Sequence, residues 1–214
     1  MANVYLKAAL LTLSVALVGF FLVSQIDAVR ANELKGDVEG LLLQSESERL
    51  LFLYAQTMDN SSEALCAYLQ KSAQAKSDKA FALSQRIQYY EKGNLLDANY
   101  DRIRDQYYLA NAGLYLNMRS AEKYCGSSPY TTVLYFYRIS PDCPNCRAQG
   151  GVLDGMRADY PMLRVFAFPI DTDNPVVNAF VERHGIADAP SLVVDDRVVL
   201  RGLQGESDLS VYIK

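Results

Sequence analysis

Apolar residues fall into three successive rhythms along this chain, and each asks for a different element. The first is an unbroken run. No charged residue stands between Lys7 and Asp27, and Ala8 to Val23 is almost wholly apolar. A spanning helix needs ~20 such residues, so residues 8–26 read as a transmembrane anchor, with a long signal peptide as the competing reading. The best small-residue cleavage site, Val29-Arg30-Ala31, lies well past the apolar run, which favours an uncleaved anchor. Charge does not orient the span: Lys7 precedes it, while Arg30 and Lys35 follow it among Asp27, Glu33, Asp37 and Glu39.

The second rhythm has a helical period. It predicts three helices over 34–58, 63–92 and 96–124, with Asp59-Asn60-Ser61-Ser62 supplying cap and turn chemistry between the first two and Gly93-Asn94 ending the second. The last carries a stripe at alternating spacings of three and four: Leu96, Tyr100, Ile103, Tyr107, Ala110, Leu114, Met118, Ala121 and Cys125. If the second and third helices turn back at Gly93-Asn94, Cys66 lies 27 residues before the turn and Cys125 lies 31 after it. At 1.5 Å per residue their heights differ by only ~6 Å. A structural Cys66–Cys125 disulfide at the open end of the hairpin is therefore expected, against the alternative of two separate buried thiols. Such a bond belongs outside a reducing cytosol. The Tyr-rich helices have two readings, a spacer packing its own core or a substrate-recognition or partner-docking surface.

The third rhythm is that of strands. Beyond the short linker Gly126-Ser127-Ser128-Pro129, expected elements are a strand over 132–138, a helix over 143–160 stopped by Pro161, a strand over 163–169, a helix over 175–184, strands over 191–194 and 197–200 about an Asp195-Asp196 turn, and a short helix from Ser207. Into the first helix start falls Cys143-Pro144-Asn145-Cys146. Cysteines three apart lie one helical turn apart, so their sulfurs can close a small disulfide ring. Free N–H groups and the dipole at a helix start favour a thiolate, the species that attacks disulfides. Cys143 is thus the candidate nucleophile and Cys146 the resolving thiol. Gly150, Gly151 and Gly155 are unexpected inside this helix, and either close backbone packing or a mobile helix would account for them. His184, the only histidine, sits before Gly185 at the charged end of its helix, where interaction with the dipole explains it.

From about residue 131 to 214, two fifths of the chain, the sequence resembles the thioredoxin-like superfamily. The resemblance rests on the Cys-x-x-Cys, the βαβαββα order and Ala189-Pro190-Ser191-Leu192-Val193-Val194, where a proline precedes the third strand 44 residues after Cys146. It implies that Pro190 is cis and faces the cysteines, and that the backbone of Ala189 pairs with a bound substrate strand. The chain departs from thioredoxins proper at Tyr137, where a buried acid would stand, at Asp142 in place of a Trp, and at Pro144-Asn145 in place of Gly-Pro. Asp142 disfavours the thiolate and Arg147 favours it, so redox poise is not set by the sequence.

Charge then narrows the function. With 25 acidic against 21 basic residues the chain offers no phosphate-binding face, so nucleic acid is not expected as a partner. A zinc site lacks a second Cys or His pair at ligand spacing. The expectation is a single-pass protein, residues 1–32 anchoring, 33–126 a helical stem and 127–214 a thioredoxin-like domain, with its amino terminus cytoplasmic and its bulk in a periplasm, cell surface or lumen. It would exchange disulfides with cysteines of exported proteins through Cys143 and Cys146, with no cofactor beyond that pair and with a membrane or soluble thiol partner passing electrons. The alternative is a non-catalytic subunit of a membrane complex, docking through the Tyr-rich helices.

Overall fold

The computed structural model describes residues 63–94, 98–126, 129–139 and 143–213, with Leu13 and a few residues between 46 and 54. The expected anchor at 8–26 and the expected first helix at 34–58 lie outside these residues except for those few, which are helical; Asn60-Ser61-Ser62 and Asp142 lie outside them altogether. Among the described residues no helix is long and apolar enough to cross a membrane. Met1–Asp59 and Asn60–Lys214 are two compact units. All that follows concerns the second.

Two long helices open it, α1 (Glu63–Lys92) and α2 (Ala98–Cys125). Helix α1 begins on an acid and ends on a base, each at the end of the dipole it stabilises. Asn94 then takes φ 52, a left-handed conformation that Asn tolerates better than other L residues, and the chain reverses. The hairpin core is small: Ala80 and Leu83 of α1 meet Ile103 and Ala110 of α2, with Ile87, Tyr90 and Tyr107 beside them. At its open end the Cys66–Cys125 disulfide is present, with Cα atoms 5.6 Å apart. The height argument that predicts this bond needs only helix rise and the position of the turn.

After Pro129 come β1 (Thr131–Tyr137), α3 (Pro144–Asp159), β2 (Leu163–Pro169), α4 (Pro175–His184), β3 (Ser191–Val194), β4 (Val198–Arg201) and α5 (Glu206–Ser210). Local chemistry fixes the ends of these elements. Pro144 and Pro175 open their helices, where a missing N–H costs nothing. Asn174 Oδ1 accepts from the N–H groups of Val176 and Val177, and Gly185 at φ 60 closes α4. Asp195 and Asp196 both take positive φ in the β3–β4 turn, as the tight hairpin requires.

The four strands form one mixed sheet in the order β2-β1-β3-β4, with β1 parallel to β2 and antiparallel to β3. Strand β1 is buried along nearly its whole length, because helices cover both faces of the sheet. On one face Leu134, Phe136, Phe166, Phe168 and Val193 meet Val177 and Phe180 of α4 and, from the hairpin, Tyr108, Ala112 and Tyr115 of α2. On the other, Val133, Tyr135, Leu192 and Val194 meet Leu153 and Met156 of α3 and Leu209 of α5. Phe136 and Phe168 are completely buried, and each such side chain contributes about 2–3 kcal/mol of hydrophobic stabilisation. Because α2 supplies core residues to the sheet as well as to α1, hairpin and sheet together make one compact unit.

Candidate active site

Sequence places Cys143 where β1 has ended and α3 is about to begin. Cys143 takes the N-cap position of α3, and its sulfur accepts the Cys146 N–H at 3.2 Å. The two sulfurs form a disulfide, with Cα atoms 5.2 Å apart across one helical turn. Among the described residues the first turn of α3 holds no acid, and Arg147 lies within it. Such an environment favours a thiolate on Cys143 once the bond is reduced. Pro144 and Asn145 are exposed on the outer side of this turn.

The loop before β3 closes on the same point. The Ala189–Pro190 bond is cis, and the Ala189 carbonyl oxygen lies 3.9 Å from the Cys143 sulfur. Ser191 Oγ donates to the Asp188 carbonyl at 2.7 Å and Gly202 N–H donates to the Pro190 carbonyl at 2.8 Å, so the loop is pinned on both sides of Ala189. Ala189 itself has no backbone hydrogen-bond partner among the described residues and is only half-buried. Cys143, Cys146, Ala189 and Pro190 are thus gathered from two segments more than forty residues apart.

Beneath the cysteines the floor is phenolic. Tyr135 donates from β1 to the Cys146 carbonyl at 2.5 Å, and burial pushes its pKa up to about 12. Tyr137, at the end of the same strand, has its hydroxyl 3.3 Å from that of Tyr108 on α2. Burial raises the pKa of both, so neither phenol ionises at ordinary pH. Where the family resemblance would place a buried carboxylate, this site has two neutral hydroxyls that share one hydrogen bond. Loop geometry is held from below by Asp171, which accepts the Ile139 N–H at 3.0 and 3.1 Å.

Facing the cysteines across an open cleft of about 490 Å³ are Ile87 and Glu91 of α1 and Tyr100, Arg104, Tyr107 and Tyr108 of α2. The Tyr100 hydroxyl donates to Glu91 at 2.8 Å, and the Arg104 guanidinium lies over the Tyr100 ring, 5.0 Å from its centroid. The sequence offers the Tyr-rich helices as a recognition surface but singles out none of these hairpin residues. Tyr100 and Tyr107 read there as hairpin core, and the signal available for the rest was a second stripe on α2, Arg104, Tyr108 and Tyr115, one turn or two apart beside the first. A stripe of that kind says that a face is used without saying what lies opposite. The glycines of α3 have an open setting: a Cβ added at Gly150, Gly151 or Gly155 would meet nothing within 4 Å, so close packing does not account for them.

Away from the cleft, His184 and the Asp195-Asp196 turn serve the fold. Asp195 accepts from the Thr132 N–H at 2.8 Å, tying the turn to β1. Asp196 accepts from Arg183 at 2.8 Å and from the Tyr115 hydroxyl at 3.1 Å, joining α4, the turn and α2. His184 Nε2 stands 3.1 Å from Asp196 but out of line for a hydrogen bond. Burial lowers the His184 pKa, partly opposed by the Asp196 charge, so the ring is neutral. Among the described residues no cluster of His, Cys, Asp or Glu could hold a metal ion.

Comparison with protein-family models gives no match, and comparison with curated proteins gives none either; the case for function therefore rests on a disulfide at a helix mouth, faced by a cis-proline loop and roofed by a tyrosine-lined hairpin.

Proposed function

We propose that this chain is a thioredoxin-like thiol-disulfide oxidoreductase, held at a membrane by residues 8–26 and acting outside the cytosol on cysteines of exported proteins. The observation that carries this reading is the setting of Cys143: it caps α3, its sulfur takes an N–H from Cys146, and it faces the half-buried Ala189 carbonyl at 3.9 Å. A second bond, Cys66–Cys125, supports an oxidising compartment.

In the oxidising direction a substrate thiolate attacks the Cys143 sulfur. A substrate–Cys143 bond forms, the Cys143–Cys146 bond breaks, and the electron pair leaves on Cys146, which takes a proton. A second substrate thiolate then attacks the substrate sulfur of this mixed disulfide and releases Cys143 as thiolate. The substrate has lost two electrons and the cysteine pair has gained them, with one proton on Cys146 and Cys143 left as thiolate. A disulfide-bearing redox partner, in the membrane or soluble, accepts the electrons in turn; reduction of a substrate disulfide is the same sequence reversed. Extended substrate backbone would pair with the N–H and carbonyl of Ala189 as an added strand. Among the described residues phenols rather than a carboxylate lie beneath the cysteines, so the Cys146 proton comes from water or substrate.

The docking-subunit alternative draws on the tyrosines of α2, but Tyr100, Tyr108 and Tyr115 are buried in cleft and core rather than displayed outward. The deciding experiment is Cys146→Ala in the full chain. Accumulation of mixed disulfides on Cys143 with exported proteins, seen on non-reducing gels and by mass spectrometry, is the expected result. A Cys143 thiol with ordinary reactivity and no adducts would remove the oxidoreductase reading.

A further inference from the structure

The cleft before the cysteines has a charge character that the exchange chemistry alone does not call for. Among the described residues it is bordered by Arg104 on the hairpin side and by Arg138 and Arg147 on the cysteine side, against one acid, Glu91, although the whole chain carries a formal charge of −4. Glu91 already accepts from Tyr100. Arg104 is the central member, because it is carried on a rigid helix within the hairpin wall. Among the described residues its one ion pair is with the exposed Asp101 of its own helix, at 3.3 Å, and its buried Nε has no hydrogen-bond partner. Packing on the Tyr100 ring holds the guanidinium beside the cleft. Half-buried Tyr107 beside it gives a flat apolar ring, which suits an extended chain better than a second folded surface.

We infer that the hairpin selects the substrate: Arg104 receives a carboxylate of an extended cysteine-containing segment, close in sequence to the cysteine that bonds to Cys143. The inference rests on the oxidoreductase reading and adds a substrate class to it. A peptide thiol flanked by Asp or Glu would lie with its backbone along Ala189, its sulfur at Cys143 and its carboxylate toward Arg104. A neutral or basic segment would leave Arg104 as it is or oppose it.

The test uses the full chain carrying Cys146→Ala, reduced, and three short peptides that differ only in having Glu, Gln or Lys beside one cysteine, each activated as a 2-thiopyridyl disulfide. The Cys143 thiolate attacks the peptide sulfur, a Cys143–peptide bond forms, and the departing pyridine-2-thione is followed by absorbance. The Glu peptide should react about tenfold faster than the Gln peptide, the value of one charge-assisted hydrogen bond, and the advantage should shrink with added salt. Arg104→Glu should reverse the order in favour of the Lys peptide, and Arg104→Gln should level the three. A merely structural Arg104 would slow all peptides alike and leave their ratio unchanged, which overturns the inference while leaving oxidoreductase activity standing. The same thiopyridyl derivative of 3-mercaptopropionate bears thiol and carboxylate without a peptide; if it outpaces the Glu peptide, the extended-chain assignment falls. Failure of every probe to react faster than an ordinary thiol would overturn the parent reading as well.

Discussion

At the scale of single residues, the floor of the site is set by a pair of buried phenols. The Tyr137 and Tyr108 hydroxyls share one hydrogen bond at 3.3 Å in a setting where burial keeps both neutral. Tyr137→Phe removes one partner and leaves the Tyr108 hydroxyl, on an almost fully buried ring, to find another. The expected cost is about 1–2 kcal/mol, read as a lower urea midpoint with unchanged denaturant slope. An unchanged midpoint would mean that water already serves these groups. Cys143 and Cys146 were legible as a pair from their spacing alone, since one helical turn and a helix start are local facts. Arg104 was not, because its neighbours across the cleft come from β1 and α3, at least thirty residues further along.

At the scale of elements, α3 and the hairpin each carry a measurable consequence. Gly151 and Gly155 are exposed in the middle of α3, and a Cβ at either would meet nothing within 4 Å. Gly151→Ala and Gly155→Ala should therefore each stabilise the protein by about 0.5–1 kcal/mol through helix propensity, seen as a raised Tm. A loss of exchange activity in these stabilised variants would show that α3 must flex to work. In the hairpin, the Cys66–Cys125 bond closes a segment with a sequence separation of 59. Replacing both cysteines with serine should cost about 4 kcal/mol, mainly by freeing the unfolded chain, and thermal unfolding with and without reductant would check it. Boundaries at this scale were largely readable, because Pro144, Pro175, Asn174 and Gly185 begin and end their helices by themselves. The use of a second face of α2 was not, since Tyr108, Ala112 and Tyr115 are helical residues whether they meet a sheet or water.

At the scale of the whole unit, one turn holds the helical pair to the sheet. Asp196 takes hydrogen bonds from Arg183 of α4 and Tyr115 of α2, and His184 is buried beside it. Burial alone would raise the Asp196 pKa, but the Arg183 bond and charge, with Tyr115, outweigh it and hold the carboxyl below its ordinary value. His184 is likewise lowered, by burial. Both groups bind protons less readily folded than unfolded, so both lend stability above their unfolded pKa values and lose it as pH falls through the folded ones. Stability should begin to fall below about pH 6.5, as the unfolded chain takes up a proton that His184 refuses, and fall again below about pH 3.9 through Asp196. His184→Gln should flatten the stability profile between about pH 7 and pH 5, and an unaltered slope there would exclude His184 as its source. The sequence by itself determined the helices and strands, the hairpin register that brings Cys66 to Cys125, and the place of Cys143 at a helix start, because each follows from backbone period, capping chemistry or chain length. Only the tertiary structure decided that the hairpin leans on the sheet, that Tyr115 reaches Asp196, and that Arg104 looks across a cleft at the cysteines. Those contacts depend on how an already formed helix is rotated against distant strands, and a helix with two usable faces leaves that choice to packing.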